Sequence, residues 1–218
     1  MLSVIIPAYN EENRILSALK KVKNELAKRD EVIVVADGKD KTAKLAKTIK
    51  GIKVLEFKNR LGKGGALKEG VKVAKGNIIV FCDVDYGTQE NVSINNLVKN
   101  LDDINIGSRY ISTYIKGDSK RIFFSRGLNF LVRIMFGLHL TDTQCGFKAF
   151  RRDVIKKIMP LVKIKGFAYD IEVLWRAKKL GYAIKEVPIR WDYTKETKVN
   201  VLKTSIEIFK DMLKLRFT

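Results

Sequence analysis

Histidine is nearly absent from this 218-residue chain, with His139 its single copy, and cysteine and proline number only two and three. One histidine leaves no His-rich metal centre and no Ser-His-Asp triad to expect. Two cysteines, Cys82 and Cys145, exclude a disulfide framework and a multi-cysteine zinc site, and they suit a reducing compartment. Apolar runs are short. None approaches the roughly 20 residues of a membrane span, and the nearest, Phe130 to Leu140, is interrupted by Arg133. The opening Met1-Leu2-Ser3-Val4-Ile5-Ile6-Pro7 has no basic region and too short an apolar stretch for a signal peptide, so the expected location is the cytoplasm. Acidic residues are also few. Lys plus Arg count 43 against 24 Asp plus Glu, a formal net charge of +19. Such an excess implies a polyanionic partner: nucleic acid, an anionic membrane surface or a phosphorylated small molecule.

What is present is a globular composition, 46% hydrophobic and 31% charged, in a chain long enough for a substantial core. The first half alternates short β-branched runs with amphipathic helical patterns. Strands are expected at Leu2–Ile6, Val32–Ala36, Val54–Phe57, Ile78–Cys82 and Ile104–Gly107. Between them fall helices at about 10–28, capped by Asn10, then 42–49, 65–74 and 92–101. This alternation predicts an α/β fold, a doubly wound, mostly parallel sheet with helices on both faces. In such sheets ligands bind beyond the carboxyl ends of the strands, so residues after Ile6, Ala36, Cys82 and Gly107 should meet in one crevice. The second half predicts helices at 120–138, 153–158, 170–180 and 199–217 and a strand at 183–187. With no repeat or linker, one domain over 1–218 is expected, its first half (1–110) carrying the strand-end crevice and its second half (111–218) a different pattern of elements.

Several short patterns carry chemistry. Asp83-Val84-Asp85 leaves a strand end, where two carboxylates can turn together towards Mg²⁺ or Mn²⁺ and these ions bridge to diphosphate oxygens. An acidic turn is the bland alternative. Asp37, before Gly38, can accept hydrogen bonds from a ribose or base, or be an ordinary turn residue. Glu11 and Glu12 follow Tyr9 and Asn10 and also suit the first turn of a helix. Gly62-Lys63-Gly64-Gly65 opens a helix and can offer backbone N–H groups and Lys63 to a phosphate. Neither the P-loop nor the dinucleotide fingerprint is present.

Taken in order, Ile5-Ile6-Pro7-Ala8-Tyr9-Asn10-Glu11-Glu12, Asp37-Gly38, Gly62-Lys63-Gly64-Gly65 and Asp83-Val84-Asp85 resemble the family 2 glycosyltransferases of GT-A fold. Gly107-Ser108-Arg109-Tyr110, Ser125-Arg126-Gly127, Asp142-Thr143-Gln144-Cys145-Gly146-Phe147 and Val187-Pro188-Ile189-Arg190-Trp191 resemble the polyprenyl- and dolichyl-phosphate hexose synthase branch. The resemblance implies inverting transfer of glucose or mannose from UDP-glucose or GDP-mannose to a polyprenyl phosphate. It implies that Pro7, Tyr9, Asn10, Glu11, Asp37 and Lys63 bind the nucleotide-sugar, and that Asp83 and Asp85 hold Mg²⁺ or Mn²⁺. Arg109 and Arg126 would face the phosphates, and Arg126, Asp142, Gln144, Arg190 and Lys198 would shape the sugar and acceptor site, with Asp85, Arg109 and Arg126 catalytic. One carboxylate of the family's Asp-Asp-Gly-Ser is replaced in Ala36-Asp37-Gly38-Lys39, and Gly87 stands where mannose synthases carry Gln. The latter resembles dolichyl-phosphate glucosyltransferases and points to UDP-glucose.

Such an acceptor accounts for the missing histidine. A phosphate monoester has a second pKa of about 6 and reaches the site already ionised, so charge neutralisation matters more than a base. The helices at 120–138 and 199–217 mix Lys and Arg with Phe, Leu, Ile and Met, which suits peripheral attachment at the cytoplasmic face of a membrane and also suits core packing. Two readings compete: a family 2 transferase acting on a polysaccharide or protein hydroxyl, which needs a carboxylate base, and a basic nucleic-acid-binding module, which leaves the strand-end acidic pairs unexplained.

Overall fold

In this computed structural model, residues 1–89, 91–111, 119–190 and 201–217 are described. The chain runs β1 (Leu2–Ala8), α1 (Ile15–Glu25), β2 (Glu31–Ala36), α2 (Thr42–Lys47), β3 (Ile52–Glu56), α3 (Lys63–Val73), β4 (Ile78–Phe81), a 3-10 turn (Val84–Thr88), α4 (Ile94–Val98) and β5 (Ile104–Ser108). It continues with α5 (Ser119–Phe136), β6 (Lys148–Arg151), α6 (Arg152–Ile158), α7 (Tyr169–Lys179), β7 (Ile184–Pro188) and α8 (Val201–Arg216).

The strands form one seven-stranded sheet in the order β3-β2-β1-β4-β6-β5-β7. Strand order reverses between β1 and β4, the switch point at which a crevice opens beyond the strand ends. Val4, Ile5 and Ile6 are fully buried because both faces of the sheet are covered. Ile5, Ile33, Val35, Ile79 and Phe81 face a core shared with α3, α5, α6, α7 and α8. Val4, Ile6, Val34, Val80 and Cys82 face α1, α2 and α4 on the other side.

One strand departs from the parallel expectation. β6 lies antiparallel between β4 and β5, pairing Phe81 with Lys148 and Ile104 with Phe150. Its four residues begin with a lysine, which breaks the apolar pattern that marks a buried strand. Lys148 is nevertheless fully buried. The Asn10 cap is also corrected. Helix α1 starts at Ile15, and Asn10 adopts a left-handed φ of 55°, its Oδ1 accepting from the Lys39 backbone N–H at 3.0 Å. A Cβ on Gly38 would lie 2.4 Å from that oxygen, so Asn10 and the Asp37-Gly38 turn fit only as a pair.

Helices α5 and α8 pack together and bury Leu128, Val132 and Phe136 with Ile208, Met212 and Leu215. Both therefore contribute to the core. Their outer faces are apolar rather than simply charged: Phe123, Phe130 and Ile134 on α5 and Ile206, Phe209 and Leu213 on α8 are exposed, followed by Phe217.

Candidate active site

The carboxyl ends of β1, β2 and β4 form one wall of the crevice. Asp83 follows β4, and Asp85 sits in the 3-10 turn that starts one residue later. That turn is anchored against α1, where a Cβ on Gly87 would meet the Ala18 backbone nitrogen at 2.6 Å. A glutamine cannot stand there without moving the helix, so packing by itself requires Gly87.

Asp83 Oδ2 accepts from Lys63 Nζ at 2.8 Å. Asp85 Oδ1 is buried with no hydrogen-bond partner among the described residues. Burial and the like charge of Asp83 push the Asp85 carboxyl up to about 6, against the opposing pull of Lys63, Arg14 and Arg109. Burial opposes charge on Lys63, but Asp83 and Asp170 outweigh it and hold the ammonium above its ordinary range. An orphaned carboxylate oxygen beside a second carboxylate fits a divalent cation. No set of three metal-ligating side chains occurs among the described residues, so the remaining ligands would come from a diphosphate or water.

The glycine-rich loop serves this wall differently from the sequence expectation. Asp37 Oδ2 accepts from the backbone N–H of Leu61 at 2.7 Å and of Gly62 at 3.2 Å, and Gly64 N–H donates to the Lys165 carbonyl at 2.9 Å. The amides of Leu61, Gly62 and Gly64 therefore hold the loop in place. The ammonium of Lys63 is the group that the loop delivers. Glu11 forms a paired contact with Arg14 at 2.7 Å through each oxygen, and its N–H donates to Thr42 Oγ1. The exposed ring of Tyr9 lies 4.2 Å from the Arg60 guanidinium carbon. Pro7, still within β1, is half-buried opposite Val35.

The opposite wall comes from β5, β6, the 141–146 loop and the start of α7. Arg109 grips Asp142 through Nε at 2.6 Å and Nη2 at 2.9 Å, and its backbone N–H adds a third contact at 3.1 Å. The fork geometry fixes the guanidinium plane. Asp170 does not cap α7. It pairs with the buried Lys148 and lies 3.7 Å from Lys63, giving an alternating row Asp83–Lys63–Asp170–Lys148 across the floor. A Cβ on Gly146 would fall 1.9 Å from Asp83 Oδ2, so glycine alone lets the 141–146 loop close against the Asp83–Lys63 pair.

Two supporting residues had no motif to announce them. Asn129 on α5 donates to the carbonyls of Leu140 (2.7 Å) and Thr141 (3.0 Å) and accepts from Thr143 Oγ1 (2.8 Å). Glu186 on β7 accepts from the N–H groups of Thr141 and Asp142 at 2.9 and 3.1 Å. Together they fasten the loop that holds Arg109. Alternating polarity in β7 was the only available signal for Glu186. Gln144 is half-buried in the same loop, Arg126 is exposed on α5, and Arg190 is exposed just beyond β7. Lys198 lies outside the described residues. Cys145 is buried, and burial pushes its thiol up to about 12, as expected of a packing residue. His139 accepts from Arg133 Nε at 3.0 Å away from both walls' charged rows.

The family described as "Glycosyl transferase family 2" matches residues 3–159. A dolichyl-phosphate beta-glucosyltransferase of Dictyostelium discoideum is 35% identical, over 99% of this chain and 74% of that protein. One from Saccharomyces cerevisiae is 30% identical over the same shares. A solved glucosyl-3-phosphoglycerate synthase of Mycobacterium tuberculosis, in complex with Mn²⁺, UDP and glucosyl-3-phosphoglycerate, superposes with a TM-score of 0.77. It is 23% identical and covers 99% of this chain and 79% of that one.

Proposed function

The chain belongs to glycosyl transferase family 2, and from that premise we propose that it transfers glucose, with inversion, from UDP-glucose to dolichyl phosphate or a similar polyprenyl phosphate. The carrying observation is the contrast in charge between the two walls. Asp85 keeps an unpartnered oxygen beside Asp83, whereas Asp142 and Asp170 opposite them are each bound to a cation. The oxygens of carboxylates so paired are engaged by guanidinium or ammonium groups and are poorly placed to take a proton from a hydroxyl. That favours an acceptor already ionised over a polysaccharide or protein hydroxyl.

Asp83 and Asp85 would hold Mg²⁺ or Mn²⁺, which when bound supplies positive charge to the leaving diphosphate. Lys63, between Asp83 and Asp170, is in reach of the same phosphates and adds a second cation there. Tyr9 offers an exposed ring to the base, and Asp37 keeps the glycine-rich loop in place beneath the nucleotide. Arg109, fixed by Asp142, directs a guanidinium at the acceptor phosphate and lowers the repulsion between two anions brought together. No helix among the described residues is long and apolar enough to cross a membrane. The exposed Phe and Ile side chains of α5 and α8, beside Arg126, Arg133, Lys210 and Lys214, support peripheral attachment at the cytoplasmic face, where the lipid phosphate would be within reach.

The test is transfer by the purified protein from radiolabelled UDP-glucose and GDP-mannose to dolichyl phosphate and to soluble hydroxyl acceptors. Chloroform-soluble, acid-labile glucose is expected from UDP-glucose alone. Preference for GDP-mannose overturns the donor, and label on the soluble acceptors overturns the acceptor.

A further inference from the structure

A second basic site lies outside both crevice walls. The loop that joins α6 to α7, the later part of α7 and the last turns of α8 line an open surface cavity of about 420 Å³. Its charged lining is Lys163, Lys165, Arg176 and Lys214 with a single carboxylate, Asp211. None of these residues belongs to the Asp83 or Arg109 clusters. The buried Glu172 forms a pair with Arg176 at 3.1 Å, and among the described residues the cations outnumber the carboxylates even when it is counted.

The lining is held in place. Glu172 Oε2 accepts from the N–H groups of Lys163 and Ile164 at 2.9 and 2.8 Å, and the Lys165 carbonyl is tied to Gly64 of the glycine-rich loop. Arg176 lies over the Trp175 ring at 4.8 Å. The loop therefore presents its lysines from a fixed backbone, which lowers the ordering cost of binding. Lys163 and Lys165 add exposed positive charge beside Arg176 and Lys214, and an anion entering the space lowers the repulsion among these groups.

The position on α8 indicates where that anion would come from. Ile206, Phe209, Leu213 and Phe217 recur at helical spacing on the exposed side, while Ile208, Met212 and Leu215 face the core. Asp211 and Lys214, which line the cavity, occupy the flank between these two faces. A cavity at that flank sits at headgroup level once the apolar side of α8 enters a bilayer interface.

We propose that this cavity is a binding site for a phosphate group, and that its source is an anionic lipid headgroup which seats α8 on the membrane. The inference rests on the peripheral attachment proposed above, but not on the identity of the sugar or acceptor. The test compares the full chain with a Lys165→Glu, Lys214→Glu variant and with a control carrying Lys28→Glu and Lys44→Glu, exposed on the far side of the sheet. Binding to phosphatidylglycerol and phosphatidylcholine vesicles is measured by sedimentation. Stabilisation by inorganic phosphate is measured by thermal shift, with saturating UDP present to occupy the donor site.

Wild type and control should bind phosphatidylglycerol vesicles alike, and the cavity variant roughly tenfold or more weakly, since each basic residue near an anionic surface contributes on the order of 1 kcal/mol. Phosphate should stabilise wild type and control clearly more than the cavity variant, whose remaining response comes from Arg109 and is removed by adding Arg109→Ala to all three proteins. Loss of the phosphate response with vesicle binding intact keeps the site and overturns the lipid source. Equal losses in variant and control, or no loss in either assay, overturn the site. Retained UDP binding separates these outcomes from failure of the functional reading, and a Lys165→Gln, Lys214→Gln pair replaces the reversal variant should it not fold.

Discussion

The two walls of the crevice handle charge in opposite ways. The wall at the ends of β1, β2 and β4, the donor wall of the proposed reaction, is left electrostatically incomplete, with Asp83 shared with Lys63 and an oxygen of Asp85 buried without a partner among the described residues. The opposite wall, the acceptor wall of that proposal, has Arg109 locked to Asp142, Lys148 to Asp170, and the loop between them fastened by Asn129 and Glu186. An incomplete wall would suit a cation that arrives with the substrate. A completed wall is preorganised, so that its cations need no rearrangement when an anion arrives. Lys63 is the link, because it touches a carboxylate of each.

The comparison can be broken most sharply at Asp85. Asp85→Ala removes the unpartnered oxygen, and transfer should fall by roughly 10³-fold while thermal stability is kept. Retained activity would show that the donor wall needs no divalent cation. Next comes Arg109→Lys, which keeps the charge but loses the fork. A fall in kcat of roughly 10²-fold with the lipid phosphate, at unchanged UDP affinity, is expected. An equal loss of UDP binding would place Arg109 on the donor side.

Asn129→Ala probes the same wall from a distance. It touches no ligand, so loosening the 140–143 loop should lower kcat/KM for the acceptor about tenfold and leave UDP binding unaltered. Loss of both in parallel would mark it as a general stability residue. The smallest effect concerns the metal-free protein. Because the Asp85 carboxyl is pushed up to about 6 from its ordinary 3.8, the folded state takes up a proton before the unfolded state does as pH falls. Ionising it above about pH 6 therefore costs stability. Asp85→Asn should stabilise the metal-free protein by about 1 kcal/mol at pH 7.5, allowing for partial solvent access, and the gain should shrink between pH 6 and pH 4. A pH-independent gain would assign the effect to something other than that charge.

The donor wall was largely legible beforehand. Val32–Ala36 and Ile78–Cys82 are uninterrupted apolar runs rich in β-branched residues, and Asp37, Asp83 and Asp85 follow them at the carboxyl ends where a parallel sheet places its ligands. The acceptor wall was legible only as isolated motifs. Lys148 concealed β6, because a buried lysine in a four-residue strand violates the pattern by which strands are recognised, and its Asp170 partner is 22 residues away. Asp170 stands in the first turn of α7, where acids are usually local, whereas its partners come from β6 and α3. The glycine-rich loop was recognised, but the amides of Leu61, Gly62 and Gly64 are engaged by Asp37 and Lys165, contacts over 24 or more positions that no local spacing encodes. Gly87 stood out as a mark of the sugar, and the Ala18 backbone shows that packing alone already demands it.

The sequence by itself therefore determined the layered α/β architecture, the strand-end carboxylates and the basic excess, since all three follow from short-range periodicity and composition. Tertiary structure alone decided which of those charges are matched. It inserted an antiparallel strand between parallel ones, carried Lys148 to Asp170 and closed Gly146 onto Asp83, leaving one oxygen of Asp85 without a partner. The physical reason is range: hydrophobic pattern is written within a few residues, while the pairing of buried charges depends on which distant segments the sheet brings together.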